Sequence, residues 1–84
     1  MEQPDWQMAL KLYPNPAQNQ LTVEIKYEPG YSFQIYDVYG KLIHSQEVFD
    51  SNKFDVDISD LPAGMYFLKV KSDQNEMVRK FLKL

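Results

Sequence analysis

Residues 59–70, SDLPAGMYFLKV, place a proline–glycine corner directly before an apolar and aromatic segment. Pro62 supplies a fixed φ and Gly64 a permissive backbone position, a combination that is typical of a tight turn. Beyond the turn, every second residue from Tyr66 to Val70 falls on one face of a predicted β-strand. The stretch therefore predicts a strand that begins at a defined residue and requires a sheet in which to bury that face.

The same period-two alternation recurs along most of the chain, and convincing helical periodicity is missing. Strands of this kind form antiparallel sheets that bury one face and expose the other to water. The residues predicted to face inward are Leu21, Val23, Ile25, Tyr27, Tyr31, Phe33, Ile35, Phe54, Val56, Ile58, Tyr66, Leu68 and Val70.

Turn signals separate these segments. YPNP at 13–16 excludes a helix, because a residue that precedes proline is held extended. EPGY at 28–31 predicts a short hairpin turn between two strands. DVYG at 37–40 has the Asp and Gly positions of a type I turn that closes into a glycine bulge. SDQNE at 72–76 predicts a polar loop before the last strand.

Seven short strands with turns every eight to twelve residues or so predict an all-β fold, a small antiparallel β-sandwich. The predicted strands are residues 8–13, 20–27, 31–37, 41–49, 53–58, 64–72 and 76–84. We expect residues 1–7 to be a linker and 8–84 to be one domain. Edge strands of so small a sandwich can pair between molecules, so a homodimer is an expected assembly.

Composition narrows the classes of function. The net charge of −3 argues against a nucleic-acid partner. The chain has no cysteine, which excludes disulfides and Cys-type zinc sites, and no apolar run approaches the ~20 residues of a membrane-spanning helix. The charge is uneven, however. Residues 69–84 contain five basic and two acidic residues, a net +3, and the remainder carries −6.

No catalytic or metal-binding group is evident, so we predict neither an enzyme nor a cofactor. His44 and Ser45 are neighbours on a predicted strand and point to opposite faces. The acidic residues between 50 and 60 raise the alternative of a calcium site, but Asp55 and Asp57 would lie about 7 Å apart on a strand. EF-hand spacing is also missing, which favours a solvated strand face.

The six tyrosines raise a different alternative, a carbohydrate-binding module. Three of them fall on faces predicted to point inward, where tyrosine fills a thin core. Tyr36 and Tyr39, together with Trp6, are expected to be exposed and could stack on a sugar ring. A purely structural spacer domain is a third interpretation.

The last predicted strand, MVRKFLKL, is strongly apolar and basic. Val78, Leu82 and Leu84 share one face, which Lys80 interrupts, and Phe81 lies on the other. Burial of each large apolar side chain would stabilise the domain by about 1.5–3 kcal/mol. Display of the strand to a partner is the alternative, and composition leaves both open.

Four blocks, in this order, resemble the type A C-terminal sorting domain of the type IX secretion system of Bacteroidota. The blocks are LYPNP with LTVEI, YSFQIYDVYGKLI, DISDLPAGMYFLKV and VRKFLKL, and they span residues 10 to 84. The resemblance implies an immunoglobulin-like β-sandwich fused behind a secreted cargo protein. It implies transit through the periplasm to the outer-membrane surface or the extracellular space, recognition by an outer-membrane translocon, and removal by a sortase-like peptidase. Such a domain is a ligand and a substrate rather than a catalyst.

The resemblance also implies which residues are recognised. The Pro-x-Gly-x-Tyr block of the family falls on Pro62, Gly64 and Tyr66, with Val70 at the end of the strand. The terminal block falls on Val78, Lys80, Phe81, Leu82, Lys83 and Leu84. We expect the last two strands to pair as a rigid hairpin, which lowers the ordering cost of binding. Its net positive charge would suit an acidic receptor surface, with simple solvation of the lysines as the alternative.

Overall fold

A computed structural model describes residues 10–25, 31–49, 52–72 and 76–84. These residues form seven β-strands: β1 (Leu10–Tyr13), β2 (Gln20–Ile25), β3 (Tyr31–Tyr36), β4 (Leu42–Val48), β5 (Lys53–Asp57), β6 (Gly64–Lys71) and β7 (Glu76–Lys83). Every predicted strand is present, and within the described residues the ends differ by one residue at most. Residues 8–9 and 26–27 of the predicted strands lie outside the described residues.

The strands form two antiparallel sheets. One sheet has the order β1-β2-β5 and the other the order β4-β3-β6-β7. All neighbouring strands within the sheets run antiparallel. The inner faces of the two sheets supply one common core, as in a sandwich. The prediction of a seven-stranded antiparallel β-sandwich is confirmed.

The predicted hairpin between β2 and β3 is wrong. β2 pairs with β1 and β5, whereas β3 pairs with β4 and β6, so the chain crosses from one sheet to the other after Ile25. Residues 28–30 of the proposed turn lie outside the described residues. A proline–glycine pair marks a change of chain direction but does not specify which strands pair. Placing β2 and β3 in opposite sheets buries both of their apolar faces.

The core follows the period-two prediction closely. The predicted inward-facing residues are all buried, except that Phe54 is half-buried against the core and Tyr27 lies outside the described residues. Five further apolar residues are buried that the alternation did not select: Leu10, Ala17, Val48, Met77 and Phe81.

Strand β7 presents its shared apolar face to the outside. Val78 and Leu84 are 57% and 55% exposed, whereas Met77 and Phe81 are buried. The Phe81 ring stacks on the ring of Tyr66 across the β6–β7 pair, with centroids 5.7 Å apart. The grouping of Val78, Leu82 and Leu84 on one face is thus confirmed. The opposite face of β7 is the one that packs against the core.

The 37–40 turn has the predicted type I geometry with a glycine bulge. The Gly40 amide donates to the Asp37 carbonyl at 3.1 Å, and the Asp37 amide donates to the Lys41 carbonyl at 3.0 Å. Gly40 has a φ of +85°, in the left-handed region that favours glycine. The Asp37 carboxylate accepts hydrogen bonds from the Tyr39 and Lys41 amides, both at 2.9 Å.

The proline–glycine corner is closed by a tyrosine hydroxyl. The Tyr66 hydroxyl donates a hydrogen bond to the Pro62 carbonyl at 2.6 Å, four residues back along the chain. Gly64 has a φ of +150°, a conformation that L side chains rarely adopt. Immunoglobulin-type sandwiches use the same device, a tyrosine corner, to fix the entry of a strand. The corner therefore sets where β6 begins.

We expect Tyr66→Phe to destabilise the domain by about 1 kcal/mol, because one intramolecular hydrogen bond of typical net strength is lost. The ring and its stacking on Phe81 remain. Denaturant unfolding followed by circular dichroism measures the change. Tyr39→Phe is the matched control, since Tyr39 is 91% exposed. Equal stabilities of the two variants would contradict the role of the corner.

Tyr31 is a buried tyrosine whose ionisation is linked to folding. Its hydroxyl donates to the Val23 carbonyl at 3.5 Å, and 5% of the residue is exposed. Burial, with a smaller contribution from the Glu24 carboxylate, raises the pKa of Tyr31 to about 12 from its ordinary value of 10.0. Between these two values the unfolded chain loses the proton and the folded chain keeps it.

The stability that comes from neutral Tyr31 should therefore be complete below pH 10 and be lost as the pH rises toward 12. We expect Tyr31→Phe to reduce the loss of thermal stability over this interval, because phenylalanine has no proton to release. Melting temperatures measured from pH 8 to 12 test this, with Tyr39→Phe as the control. A Tyr31→Phe variant whose curve runs parallel to that of the parent chain would contradict the linkage.

Candidate functional site

Three of the four blocks that resemble the sorting-domain family lie on or beside the four-stranded sheet, and the first block forms β1 and β2 of the other sheet. The 31–43 block forms β3, the glycine-bulge turn and the start of β4, and the 57–70 block forms the corner and most of β6. The final block forms β7, which pairs with β6 along its whole length. The expected β6–β7 hairpin is confirmed by this pairing, although residues 73–75 of its loop lie outside the described residues.

The structure brings the ten predicted recognition residues together on the corner and this hairpin, but divides them between two environments. Four are exposed or half-exposed on the outer side of β7: Val78, Lys80, Leu82 and Leu84. Pro62 is exposed and Gly64 is half-buried at the corner. Four are buried: Tyr66, Val70, Phe81 and Lys83. The buried residues and the corner shape the hairpin, and the four residues on the outer side of β7 offer a surface that another molecule can touch.

Lys83 and Lys80 differ sharply although both belong to the terminal block. Lys83 is 8% exposed, and its Nζ donates to the main-chain oxygen of Leu84 at 2.8 Å. Its aliphatic stem lies along the core while the ammonium group reaches the end of the sandwich. Lys80 is exposed on the outer side of β7. Of these two cations, Lys80 is the one that is displayed.

Lys69, another basic residue of the 69–84 segment, forms an ion pair. Lys69 Nζ lies 3.3 Å from a Glu76 carboxylate oxygen across the β6–β7 pair. Both side chains are partly solvated, so the pair contributes at most about 1 kcal/mol. Lys69 is therefore not an isolated cation, and the net +3 charge of residues 69–84 comes from the other charged residues of the segment.

The PNPA segment between β1 and β2 fixes the end of β7. The Ala17 amide donates to the Leu82 carbonyl, and the Leu84 amide donates to the Ala17 carbonyl, both at 2.8 Å. The side-chain Oδ1 of Asn15 accepts a hydrogen bond from the Leu82 amide at 3.1 Å. Ala17 is fully buried and forms a parallel bridge with Lys83. The last residues of β7 are thus held from both sides.

The other half of the same β7 edge is open. β7 is the outermost strand of its sheet among the described residues. Backbone groups of alternate residues point to the same side of a strand, so those of Val78 and Lys80 lie on the outer edge with those of Leu82. Lysine on an exposed edge is one of the common ways to discourage pairing with another chain.

Sequence reasoning did not select Asn15 or Ala17 as site residues. The YPNP stretch was part of the resemblance, but its partner lies 67 residues away in the chain. The one available signal was the pair of prolines, which keeps the segment out of regular structure. Both X–Pro peptide bonds of this segment, Tyr13–Pro14 and Asn15–Pro16, are cis.

The remaining sequence candidates have local structural roles. His44 is half-buried with its ring against Phe33, 5.8 Å between centroids, and Ser45 lies on the other face. Asp55 Oδ1 accepts from the Thr22 hydroxyl at 2.7 Å. Within the described ranges, no group of three or more His, Asp or Glu side chains is placed to hold a metal ion.

Asp57 stabilises the chain that follows β5. Its Oδ1 accepts from the Ser59 hydroxyl at 2.7 Å and from the Ser59 amide at 2.9 Å. These two hydrogen bonds lower the pKa of Asp57. The carboxylate is thereby used to start the turn that leads into the corner.

Two of the aromatic residues considered for sugar stacking lie on β3 and on the turn that follows it. Tyr36 is half-buried on the outer face of β3, and Tyr39 is exposed on the adjoining turn. Trp6 lies outside the described residues.

We expect Asn15→Ala to free the end of β7, because the Leu82 amide loses its acceptor and the adjoining Ala17 bridge is weakened. Amide hydrogen exchange of Leu82 and Leu84, measured by NMR, should accelerate by about tenfold, as for the loss of ~1.4 kcal/mol of local stability. Asn19→Ala is the control, since no hydrogen bond of that side chain occurs within the described part of the chain. Unchanged exchange at Leu82 in Asn15→Ala would contradict the assigned contact.

No helix in the described ranges has the length and apolar character needed to cross a membrane. A comparison with curated proteins finds no significant match. Among solved structures, the chain is similar to a DUF3244 family protein from Bacteroides vulgatus, described as an immunoglobulin-like β-sandwich. The TM-score is 0.77 at 16% identity, covering 95% of this chain and 90% of that one. At this identity the likeness shows the fold alone, an immunoglobulin-like β-sandwich.

The family comparison concerns function more directly. A family model described as the secretion system C-terminal sorting domain matches residues 11–83. The match includes the corner, the β6–β7 hairpin and the PNPA segment that fixes it. Sorting-signal domains of this kind are not catalysts. The chain belongs to the family of type IX secretion system C-terminal sorting domains.

Proposed function

We propose that this domain directs a fused cargo protein from the periplasm through the outer-membrane translocon of the type IX secretion system. In this proposal the translocon recognises the folded corner and the β6–β7 hairpin, and the cargo is delivered to the cell surface or the medium. Family membership is the observation that carries the proposal. The preformed hairpin supports it, since a rigid ligand is recognised with little ordering cost.

The recognition residues divide into two roles. Pro62, Gly64, Tyr66, Val70 and Phe81 set the shape and position of the hairpin through the corner and the core. Contact with the translocon falls to the outward-facing members of the terminal block, namely Val78, Lys80, Leu82 and Leu84. Lys83, with its buried stem, belongs with the shaping residues.

We propose further that a sortase-like peptidase removes the domain at the cell surface. Leu10 is the first residue of β1 and pairs with Ile25, so a cut before residue 10 leaves every described strand intact. Residues 1–7 then act as the linker between the cargo and the domain at 8–84.

We expect the whole chain, placed behind a signal peptide and a fluorescent reporter, to carry the reporter to the surface of a host that has this secretion system. The same fusion without residues 81–84 should stay in the periplasm. Cell fractionation and protease accessibility of the reporter measure its location, and mass spectrometry of the exported reporter locates the cut. Retention of the complete fusion in a host that exports its own cargo would overturn the proposal.

The truncation removes Phe81 from the core, so a milder variant is needed to separate recognition from folding. Lys80→Gln changes an exposed side chain, and Lys11→Gln is the matched change on the other sheet. We expect Lys80→Gln to fold normally and to reduce export relative to Lys11→Gln. Undiminished export in both the truncation and Lys80→Gln would favour a spacer domain instead.

A further inference from the structure

The outer face of the four-stranded sheet is apolar at one end. Five side chains lie there in adjacent register positions, and together we call them the outer patch: Tyr36, Leu42, Met65, Phe67 and Leu82. Tyr36 is the register partner of both Leu42 and Phe67, and Met65 is the partner of Leu82. Paired residues of neighbouring strands lie side by side, and a register shift between Ile35 and Tyr36 places Leu42 opposite Tyr36. The five side chains are therefore neighbours on one surface.

The outer patch is open to solvent. Leu42 is 50% exposed, Met65 38% and Phe67 36%. The second sheet of the sandwich packs against the opposite face, where Tyr66 and Leu68 alternate with these residues. A sheet with one solvated face normally has polar residues on that face. The MYF sequence departs from this rule at Met65 and Phe67, and burial within the fold does not explain the departure.

An unpaired positive charge borders the outer patch. Lys80 is the register partner of Phe67, and within the described residues it has no carboxylate at ion-pair distance. Glu47 and Glu76 lie on the same face as Lys80, but each is two cross-strand pairs further along the sheet. Glu76 also forms an ion pair with Lys69. The Asp37 carboxylate, next to Tyr36 in the chain, accepts hydrogen bonds from backbone amides of its own turn.

We propose that the outer patch is the docking surface for a protein of the secretion machinery, one that presents apolar side chains and a carboxylate opposite Lys80. This inference rests on the proposed sorting function and adds the face that is recognised and the chemistry of its partner. Large aromatic and aliphatic side chains in the centre of an interface supply most of its binding energy. The charge pair fixes orientation and speeds association.

The charge distribution favours a protein over an anionic membrane as the occupant. Recruitment to anionic lipids typically requires clusters of about four to eight basic residues. The outer face has Lys69, Lys71 and Lys80 against Glu47 and Glu76, a net charge of +1. One unpaired lysine beside an apolar surface instead matches a single acidic group in a partner.

The test uses Phe67→Ser in the full chain, with Phe49→Ser as the matched control. Phe49 is 73% exposed, just after the end of β4 that pairs with Tyr31, away from the outer patch. Binding of the purified chain is measured on outer-membrane vesicles from a host with the secretion system and from a strain that lacks the translocon. Protein-free vesicles of lipids extracted from the same host are the third probe.

We expect the parent chain and Phe49→Ser to bind only the vesicles that contain the translocon, and Phe67→Ser to bind at least about tenfold more weakly. Lys80→Glu should also bind more weakly, and Lys11→Glu should bind as the parent chain does. Melting temperatures of all variants confirm that they are folded. A salt-dependent loss of binding in the parent chain that is smaller in Lys80→Glu would support the charge pair.

Equal binding by folded Phe67→Ser and Phe49→Ser, with normal export of both reporter fusions, would overturn the docking surface and leave the sorting function in place. Binding to protein-free lipid vesicles that equals binding to the vesicles with the translocon would identify a membrane as the occupant. That result would also overturn the proposed docking surface for a protein. Dimerisation of the parent chain in analytical ultracentrifugation that Phe67→Ser abolishes would assign the patch to a second copy. Failure of the parent fusion to be exported would remove the sorting function and this inference together.

Discussion

The contact between Tyr66 and Phe81 connects the three parts of the molecule that contain the predicted recognition residues. Tyr66 reaches back through its hydroxyl to the Pro62 carbonyl and lays its ring on Phe81, so one side chain joins the corner, β6 and β7. Phe81 in turn fills the core between the two sheets. In a domain of this size, which buries only ~60–65% of its unfolded surface, few contacts are redundant. Loss of this one would release the corner and β7 together.

The end of β7 depends on a second, long-range constraint. Paired with β6 alone, its last residues would be prone to fray, as strand ends in general are. The Ala17 bridge and the Asn15 side chain supply partners on the other edge, from a segment near the start of the domain. The recognition surface is consequently composite. A peptide of the β7 sequence alone would lack the shape that β6 and the PNPA segment impose.

Period-two alternation predicted most of the core, because alternating apolar residues in the local sequence show which face of a strand is buried. Together with the turn signals it predicted the seven strands. It could not predict how the strands divide between sheets. EPGY looked like a hairpin turn, but the choice of partner for β2 depends on which apolar faces meet, a property of the whole chain. The contact of Asn15 with Leu82 was invisible for the same reason.

Within the candidate site, the sequence placed the terminal block correctly on one hairpin. It did not show which residues of the block are buried and which are exposed. A lysine in a basic segment is expected to be solvated, yet Lys83 is 8% exposed and its ammonium group donates to the Leu84 oxygen. Each face of this strand contains both apolar and basic residues, so composition did not decide which face is buried. The pairing of Tyr66 with Phe81 decides the question, because it fixes which face of β7 looks toward the core.

That choice of face allows stability and recognition to be encoded in a single strand with little conflict. On β7 the odd-numbered residues, such as Met77 and Phe81, maintain the core, while the even-numbered ones, such as Lys80 and Leu82, face outward. The same alternation on β6 sets Tyr66 and Leu68 against Met65 and Phe67. A change in the outward set can alter a partner's affinity without opening a cavity, whereas a change in the inward set acts on binding through the shape of the hairpin. Met65, Phe67 and Leu82 lie side by side on the outward face rather than singly, and an adjoining group of exposed apolar side chains is the arrangement that the proposed partner would cover.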